Sequence, residues 1–371
     1  MLLPMKNLFA LVCFSFLSFL PVAAQQKMLG ADLSMLPVYE EAGTVYRDAQ
    51  GQPVKPLKWL KKQGWNSVRV RLFVNPDSAP QKYRNEGVCQ NIEMVKRFGR
   101  QVRKAGMSLM LDFHYSDTWA DPGKQFVPST WKHCNLQQMA DSVYAHTRSS
   151  LQQMVKAGAE PQLIQVGNEI TFGMLWPMGK VGSSKHDNWH QLALLLKQGV
   201  RACREVCPKA KIILHTERAY DRKTTFRFYD KMKELGVDYD IIGLSYYPIW
   251  HKSVPLFGES LTLLADRYPD KPVMVVETAG YYSHENDRWC KNPDKYSDIY
   301  PISAEGQRRF VEELVSELHR HPNVTGLYWW FAEENESGGK VVDTWLNRGL
   351  FDNKTGCALP ALEEFNRFLS R

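Results

Sequence analysis

QLIQVGNEIT, residues 162–171, holds two kinds of sequence in one short run. Leu163, Ile164 and Val166 are apolar and Gly167 is small, as in a buried β-strand. Asn168 and Glu169 follow at once. An unpaired carboxylate at the end of a buried strand is costly. It is tolerated where a partner neutralises it or where the strand opens on a cleft. The fold that answers this should therefore carry other buried strands with polar ends.

Seven further strands read this way: MLGADLS (28–34), SVRVRLFV (67–74), MSLMLDFHYS (107–116), KIILHT (211–216), YDIIGLSYY (239–247), PVMVVET (272–278) and NVTGLYWWF (323–331). Helical patterns separate them, at 56–63, 91–106, 135–158, 189–207, 224–236, 260–268 and 304–321, with a last one at 360–371. In the second of these, Ile92, Val95, Phe98 and Val102 share one face. Strict alternation argues for parallel strands joined by crossover helices. Eight units in one chain give the α/β class and a (β/α)8 barrel as a single domain, residues 25–371. An open doubly wound sheet fits less well, because no Gly-rich phosphate turn follows the first strand.

In such a barrel the C-terminal strand ends form one mouth. Read in order, those ends supply Asp32; Arg69 and Arg71; Asp112, His114, Tyr115, Ser116 and Asp117; Asn168 and Glu169; His215 and Glu217; Tyr246 and Tyr247; Glu277; Trp329 and Trp330. Any one of these residues has an ordinary structural explanation. Polar residues at nearly every strand end do not, and the ring reads as an active site. Glu169 and Glu277 each close an apolar run, on strands three apart around eight, so they face across the mouth. Paired carboxylates across a cleft suit glycoside hydrolysis, one as acid and one as nucleophile or base. Burial and mutual repulsion raise the acid's pKa, and Arg71 is expected to keep the nucleophile ionised. Their separation would decide between retention and inversion. Loop tryptophans Trp119, Trp176, Trp250 and Trp345 are available to stack on sugar faces.

The amino terminus reads as a targeting segment. Lys6, the apolar run at 8–21 and VAA at 22–24 predict a signal peptide, residues 1–24, cleaved after Ala24. Export to the periplasm, cell surface or medium follows. No later run is long and apolar enough to span a membrane. The net charge is +7, with no Lys/Arg run that would bind nucleic acid. Six cysteines lie beyond the signal, with no Cys/His metal spacing. Cys203 and Cys207 fall on an apolar helix face, as packed thiols. A monomer acting on a polysaccharide is expected.

The motifs GADLS (30–34), VRVRLF (68–73), LDFHYSDTWADPGKQ (111–125), QVGNEIT with GMLWP (165–177), GLSYYPIW (243–250) and VVETAGY (275–281) resemble glycoside hydrolase family 53, the endo-β-1,4-galactanases. The resemblance runs from residue 28 to about 352. It implies a retaining barrel enzyme that cuts β-1,4-galactan in type I arabinogalactan and pectin side chains. It implies Glu169 as acid/base, Glu277 as nucleophile and Asn168 on the 2-hydroxyl at the cleaved sugar. Arg71, His114 and Tyr246 would support carboxylates and substrate. Trp329 or Trp330 would lie beneath the −1 sugar, with Asp32, His215, Tyr247 and Trp250 also substrate-binding. The loops bearing Asp117, Trp119 and Trp345 would read the curved shape of galactan. No cofactor is implied. Some relatives bind calcium after the seventh strand, but the loop YYSHENDRWCKNPDKY (281–296) lacks a repeated Asp-x-Asp pattern, so no calcium is expected there. Its Cys290 is a candidate partner for Cys134.

Two other functions compete with this one. Another clan-related retaining β-glycanase, acting on mannan, xylan or glucan, would keep the chemistry and change the sugar. A barrel that binds without turnover would have no need of two strand-terminal glutamates. A metal-dependent hydrolase is disfavoured, since the first strand ends in Asp32 without a His-x-His.

Overall fold

The structure, a computed structural model, describes residues 27–285, 292, 294 and 298–370. The expected signal peptide and Cys290 lie outside the described residues, as does most of the second half of the 281–296 loop. Eight strands form a closed parallel barrel: β1 (Met28–Asp32), β2 (Ser67–Leu72), β3 (Ser108–Phe113), β4 (Leu163–Val166), β5 (Lys211–Thr216), β6 (Ile241–Tyr246), β7 (Val273–Thr278) and β8 (Val324–Trp330). Each strand pairs with its neighbours in sequence, and β1 pairs with β8 to close the ring. This is the (β/α)8 barrel expected from the alternation.

Among the helices that follow the strands are α1 (Pro56–Lys62), α2 (Ile92–Lys104), α3 (Leu136–Lys156), α4 (Trp189–Val206), α5 (Arg222–Glu234), α6 (Val254–Arg267), α7 (Ala304–His319) and α8 (Ala361–Glu364). Their starts are written locally. Asn91 caps α2 by accepting from the Met94 amide, and Asn135 with Gln138 makes a reciprocal capping box on α3. The sequence reading began α6 at Ser260. It begins at Val254, because Pro255 falls in the first turn, where no amide hydrogen is required. The last helix is also shorter than read, running into a 3-10 turn at Phe365–Phe368. Cys203 and Cys207 are buried in and just beyond α4. No helix among the described residues is long and apolar enough to cross a membrane.

Two cores hold the barrel. The larger lies between strands and helices. The smaller fills the barrel floor with Met110, Leu163, Ile213, Ile241, Met274, Val276 and Tyr328. Directly above that floor the interior changes character. Asp32, Arg69, Asp112, Gln165 and His215 are fully buried there. The floor excludes water from one side of these charges and the mouth opens on the other.

Candidate active site

Arg69 is the centre of the charged layer. Its Nη1 donates to Asp32 Oδ2 at 2.7 Å. Its Nη2 is shared among Glu277 Oε1 at 2.7 Å, Asp112 Oδ2 at 2.8 Å and Asn168 Oδ1 at 2.9 Å. Burial works against its charge, but Asp112, Glu277 and Asp32 more than offset this and push its pKa up. The structure thus differs from the sequence reading, which gave Arg71 the task of keeping the second glutamate ionised. Arg71 pairs with Asp32 at 3.0 Å and lays its guanidinium 4.7 Å from the Trp119 ring centre. Arg69 and Arg71 both face inward, but Arg69 stands lower and reaches across the barrel.

Glu277 therefore sits between two donors, Arg69 and the Tyr247 hydroxyl, which donates to its Oε2 at 2.9 Å. Burial raises its pKa, and Arg69 and Tyr247 pull back against that rise. No cation among the described residues supports Glu169 in this way. Burial, then Glu277, then Glu217 push its pKa well up, opposed by one hydrogen bond from Ser245 Oγ to Oε1 at 2.6 Å. The pair is thus split. Glu277 has the support its charge needs, and Glu169 has reason to hold a proton.

Backbone geometry puts Glu169 there. Gly167 takes a φ of +87°, and a Cβ on it would meet Ile170 Cγ2 at 2.8 Å. Glu169 itself is left-handed, with φ 47° and ψ 52°. The strand ends at Val166, so Asn168 and Glu169 no longer alternate and both reach the mouth. Asn168 Nδ2 donates to the Ala120 carbonyl at 2.8 Å, tying β4 to the loop after β3.

Buried hydrogen bonds hold these groups from below. Gln165 Nε2 donates to Asp112 Oδ1 at 2.5 Å and meets His215 Nδ1 at 2.9 Å. His215 Nε2 lies 2.8 Å from Ser245 Oγ. Burial, Arg69 and His114 push the His215 pKa well down, so its ring is neutral. With Nδ1 accepting from Gln165 and from the Glu169 amide, Nε2–H donates to Ser245, which donates to Glu169. Replacing Ser245 with alanine is expected to lift the Glu169 pKa further. The basic limb of the kcat/KM–pH profile should then move to higher pH, with the optimum falling about tenfold or less. A basic limb that stays in place would remove Ser245 from this role.

A cavity of about 420 Å³ opens above both glutamates. Trp119, Trp330 and Trp345 form one wall, with ring centres 5.3–6.3 Å apart. His114 lines it as well, its Nε2 2.9 Å from Asp112 Oδ2. Tyr247 and Trp250, from the end of β6 and the turn after it, line it too, Trp250 being 40% exposed.

Several residues named from sequence lie elsewhere. Tyr246 turns outward, stacks on Phe257 at 4.3 Å and donates to the Lys252 carbonyl. Trp329 also turns outward, against Phe310 and Phe365, while Trp330 faces the cavity. Asp117 does not line the cavity; its Oδ2 accepts from Ser129 N at 2.7 Å and Ser78 Oγ at 2.9 Å, joining two loops. Asp32 and His215 are buried beneath the cavity. Trp176 is not among the lining residues and lies under the Lys180 ammonium. Sequence reasoning missed Gln165, Ser245, Arg218 and Arg348. Ser245 was legible in principle, since it shares the inward parity of Tyr247. Arg348, in a loop after β8, had no signal.

Comparison with known proteins gives a consistent result. Glycosyl hydrolase family 53 matches residues 28–365. A protein of Neosartorya fischeri described as a probable arabinogalactan endo-beta-1,4-galactanase A is 34% identical over 332 residues, 87% of each chain. The arabinogalactan endo-beta-1,4-galactanase of Cellvibrio japonicus is 33% identical over 90% of this chain and 89% of its own. The solved Ignisphaera aggregans GH53 catalytic domain superposes with a TM-score of 0.83 at 30% identity, covering 96% of this chain and 99% of that one.

Proposed function

The chain belongs to glycosyl hydrolase family 53, and from that premise we propose that it cleaves β-1,4-galactosidic bonds within galactan, as in type I arabinogalactan and pectin side chains, by double displacement with retention. One observation carries the assignment of roles: Arg69 and Tyr247 both donate to Glu277, whereas Glu169 receives one neutral hydrogen bond and is pushed toward its protonated form. Glu277 attacks the anomeric carbon while Glu169 passes its proton to the departing glycosidic oxygen. The leaving sugar diffuses away from a glycosyl ester. Glu169, now ionised, takes a proton from water, and the resulting hydroxide attacks the anomeric carbon and frees Glu277.

Glu169, Glu277 and one water supply every proton and electron pair in that sequence, so the reading calls for no cofactor. The choice of galactan draws on the galactanase names of relatives matched over most of their length and on the aromatic-walled cavity. Export through residues 1–24, to the periplasm, cell surface or medium, is part of the same proposal and rests on the sequence.

The test is a substrate panel of galactan, mannan, xylan and mixed β-glucan, with the anomer of the first product followed by proton NMR. Galactan should be cut to oligosaccharides whose new reducing ends appear first as the β anomer. Turnover of another glycan in place of galactan would overturn the substrate, and an initial α anomer would overturn the mechanism.

A further inference from the structure

Two arginines line the cavity from loops three strands apart around the barrel, and the tryptophan wall stands beside one of them. There the Arg348 guanidinium lies 5.3 and 5.0 Å from the ring centres of Trp330 and Trp345. The other arginine, Arg218, stands in the loop after β5. Its Nε lies 3.0 Å from Glu217 Oε1, with 32% of the Arg218 side chain exposed and 4% of the Glu217 side chain. Its Nη1 donates to the Tyr220 hydroxyl at 2.8 Å. Glu217 is held in turn by Thr171 Oγ1, which donates to its Oε2 at 2.6 Å. A buried carboxylate thus fixes a partly exposed guanidinium at the rim of the site, and the hydrolytic steps use neither group.

The direction of the substrate follows from general acid catalysis. The carboxyl that protonates the glycosidic oxygen must face the departing sugar. Glu169 is tied to the Arg218 side: Thr171, two residues beyond it, grips Glu217, and Glu217 adds to the repulsion that lifts the Glu169 pKa. The departing sugar then lies between Glu169 and Arg218. Trp250, 40% exposed beside Tyr247 at a ring distance of 5.4 Å, offers it an apolar face.

We propose that Arg218, oriented by Glu217 and Tyr220 and accompanied by Trp250, forms the binding subsite for the leaving-group galactosyl unit, donating to its hydroxyls. A guanidinium in a fixed orientation loses little freedom on forming such bonds. The same subsite would receive a sugar acceptor when the glycosyl ester is attacked by a hydroxyl in place of water. This assignment rests on the galactanase reading above.

The test compares two substrates that differ only on the leaving side, β-1,4-galactohexaose and nitrophenyl β-1,4-galactotrioside. Arg218→Ala should lower the ratio of kcat/KM on the hexaose to that on the aryl trioside by about 10- to 100-fold, the range for charge-assisted hydrogen bonds. Trp250→Ala should lower the ratio in the same sense. Arg218→Ala should also reduce transfer to added galactobiose relative to hydrolysis. Equal losses on both substrates, or an unchanged ratio, would overturn the subsite while leaving the galactanase reading intact. A wild-type enzyme inert on both substrates would overturn that reading and the subsite with it.

Discussion

Glu277→Ala should lose activity on galactan by roughly 10⁵-fold, the scale seen when a catalytic nucleophile is removed. The protein should still fold, because Arg69 keeps Asp32 and Asp112 as partners at 2.7 and 2.8 Å and so no buried cation is stranded. The space opened beside Arg69 and Tyr247 suits a small anion. Added azide should therefore restore turnover of an aryl β-galactotrioside, attacking from the face where Glu277 stood while Glu169 remains as the acid. One displacement inverts the centre, so the product should be the α-galactosyl azide. The anomer is decisive. If the two glutamates had exchanged roles, azide would intercept a glycosyl ester still formed on the other carboxylate, and the β azide would appear. No rescue together with a wild-type melting temperature would also count against the nucleophile assignment.

The fold was legible because eight buried strands alternate strictly with helical patterns, and the site because nearly every strand ends in polar residues, a pattern that random placement does not produce. Which side chain of an adjacent pair faces the site was much less so. Barrel strands are buried on both sides, so hydropathy does not alternate along them. In GLSYY, Ser245 and Tyr247 point inward and Tyr246 packs on α6, yet all three are fully or nearly fully buried. On β8, Tyr328 belongs to the barrel floor, and that parity selects Trp330 over Trp329. Reading which strand residues pack on the floor would have settled that choice from one internal residue. Parity itself fails on β7. Its register against β6 skips Val276, so Val276 packs into the floor while Glu277, the next residue, serves the mouth. On β4 the positive φ of Gly167 has a similar effect, freeing Asn168 and Glu169 from alternation. Both glutamates thus sit where the strand is irregular, which periodicity cannot register. Their visibility in sequence came from chemical oddity alone, a carboxylate after an apolar run. The loop-borne Arg218 and Arg348 had neither cue.

The assignment of Arg69 has the second large consequence, and comparing it with Arg71 tests it. Arg69→Met removes the cation that pairs with Asp32, Asp112 and Glu277 together. Removing one partner of a buried charge network costs about 3–5 kcal/mol, which for a chain of this size lowers the melting temperature by roughly 5–10 °C. The loss in catalysis should be larger in kind. Without Arg69, burial, Asp112 and Asp32 act on Glu277 against the Tyr247 hydroxyl, so the carboxyl is protonated over more of the working range. A nucleophile must be ionised, so activity present above its pKa is lost as pH falls through it. The acid limb of kcat/KM should therefore move to higher pH in Arg69→Met. Arg69→Lys should recover part of the stability but not the limb, since an ammonium cannot reproduce the fork that reaches Asp32, Asp112 and Glu277 together. Arg71→Met is the control. Arg71 touches Asp32 and Trp119 but neither glutamate, so its loss should weaken the protein and the tryptophan wall while leaving the acid limb in place. A limb that moved with Arg71 and stayed with Arg69 would return the supporting role to the arginine that the strand-end pattern first suggested.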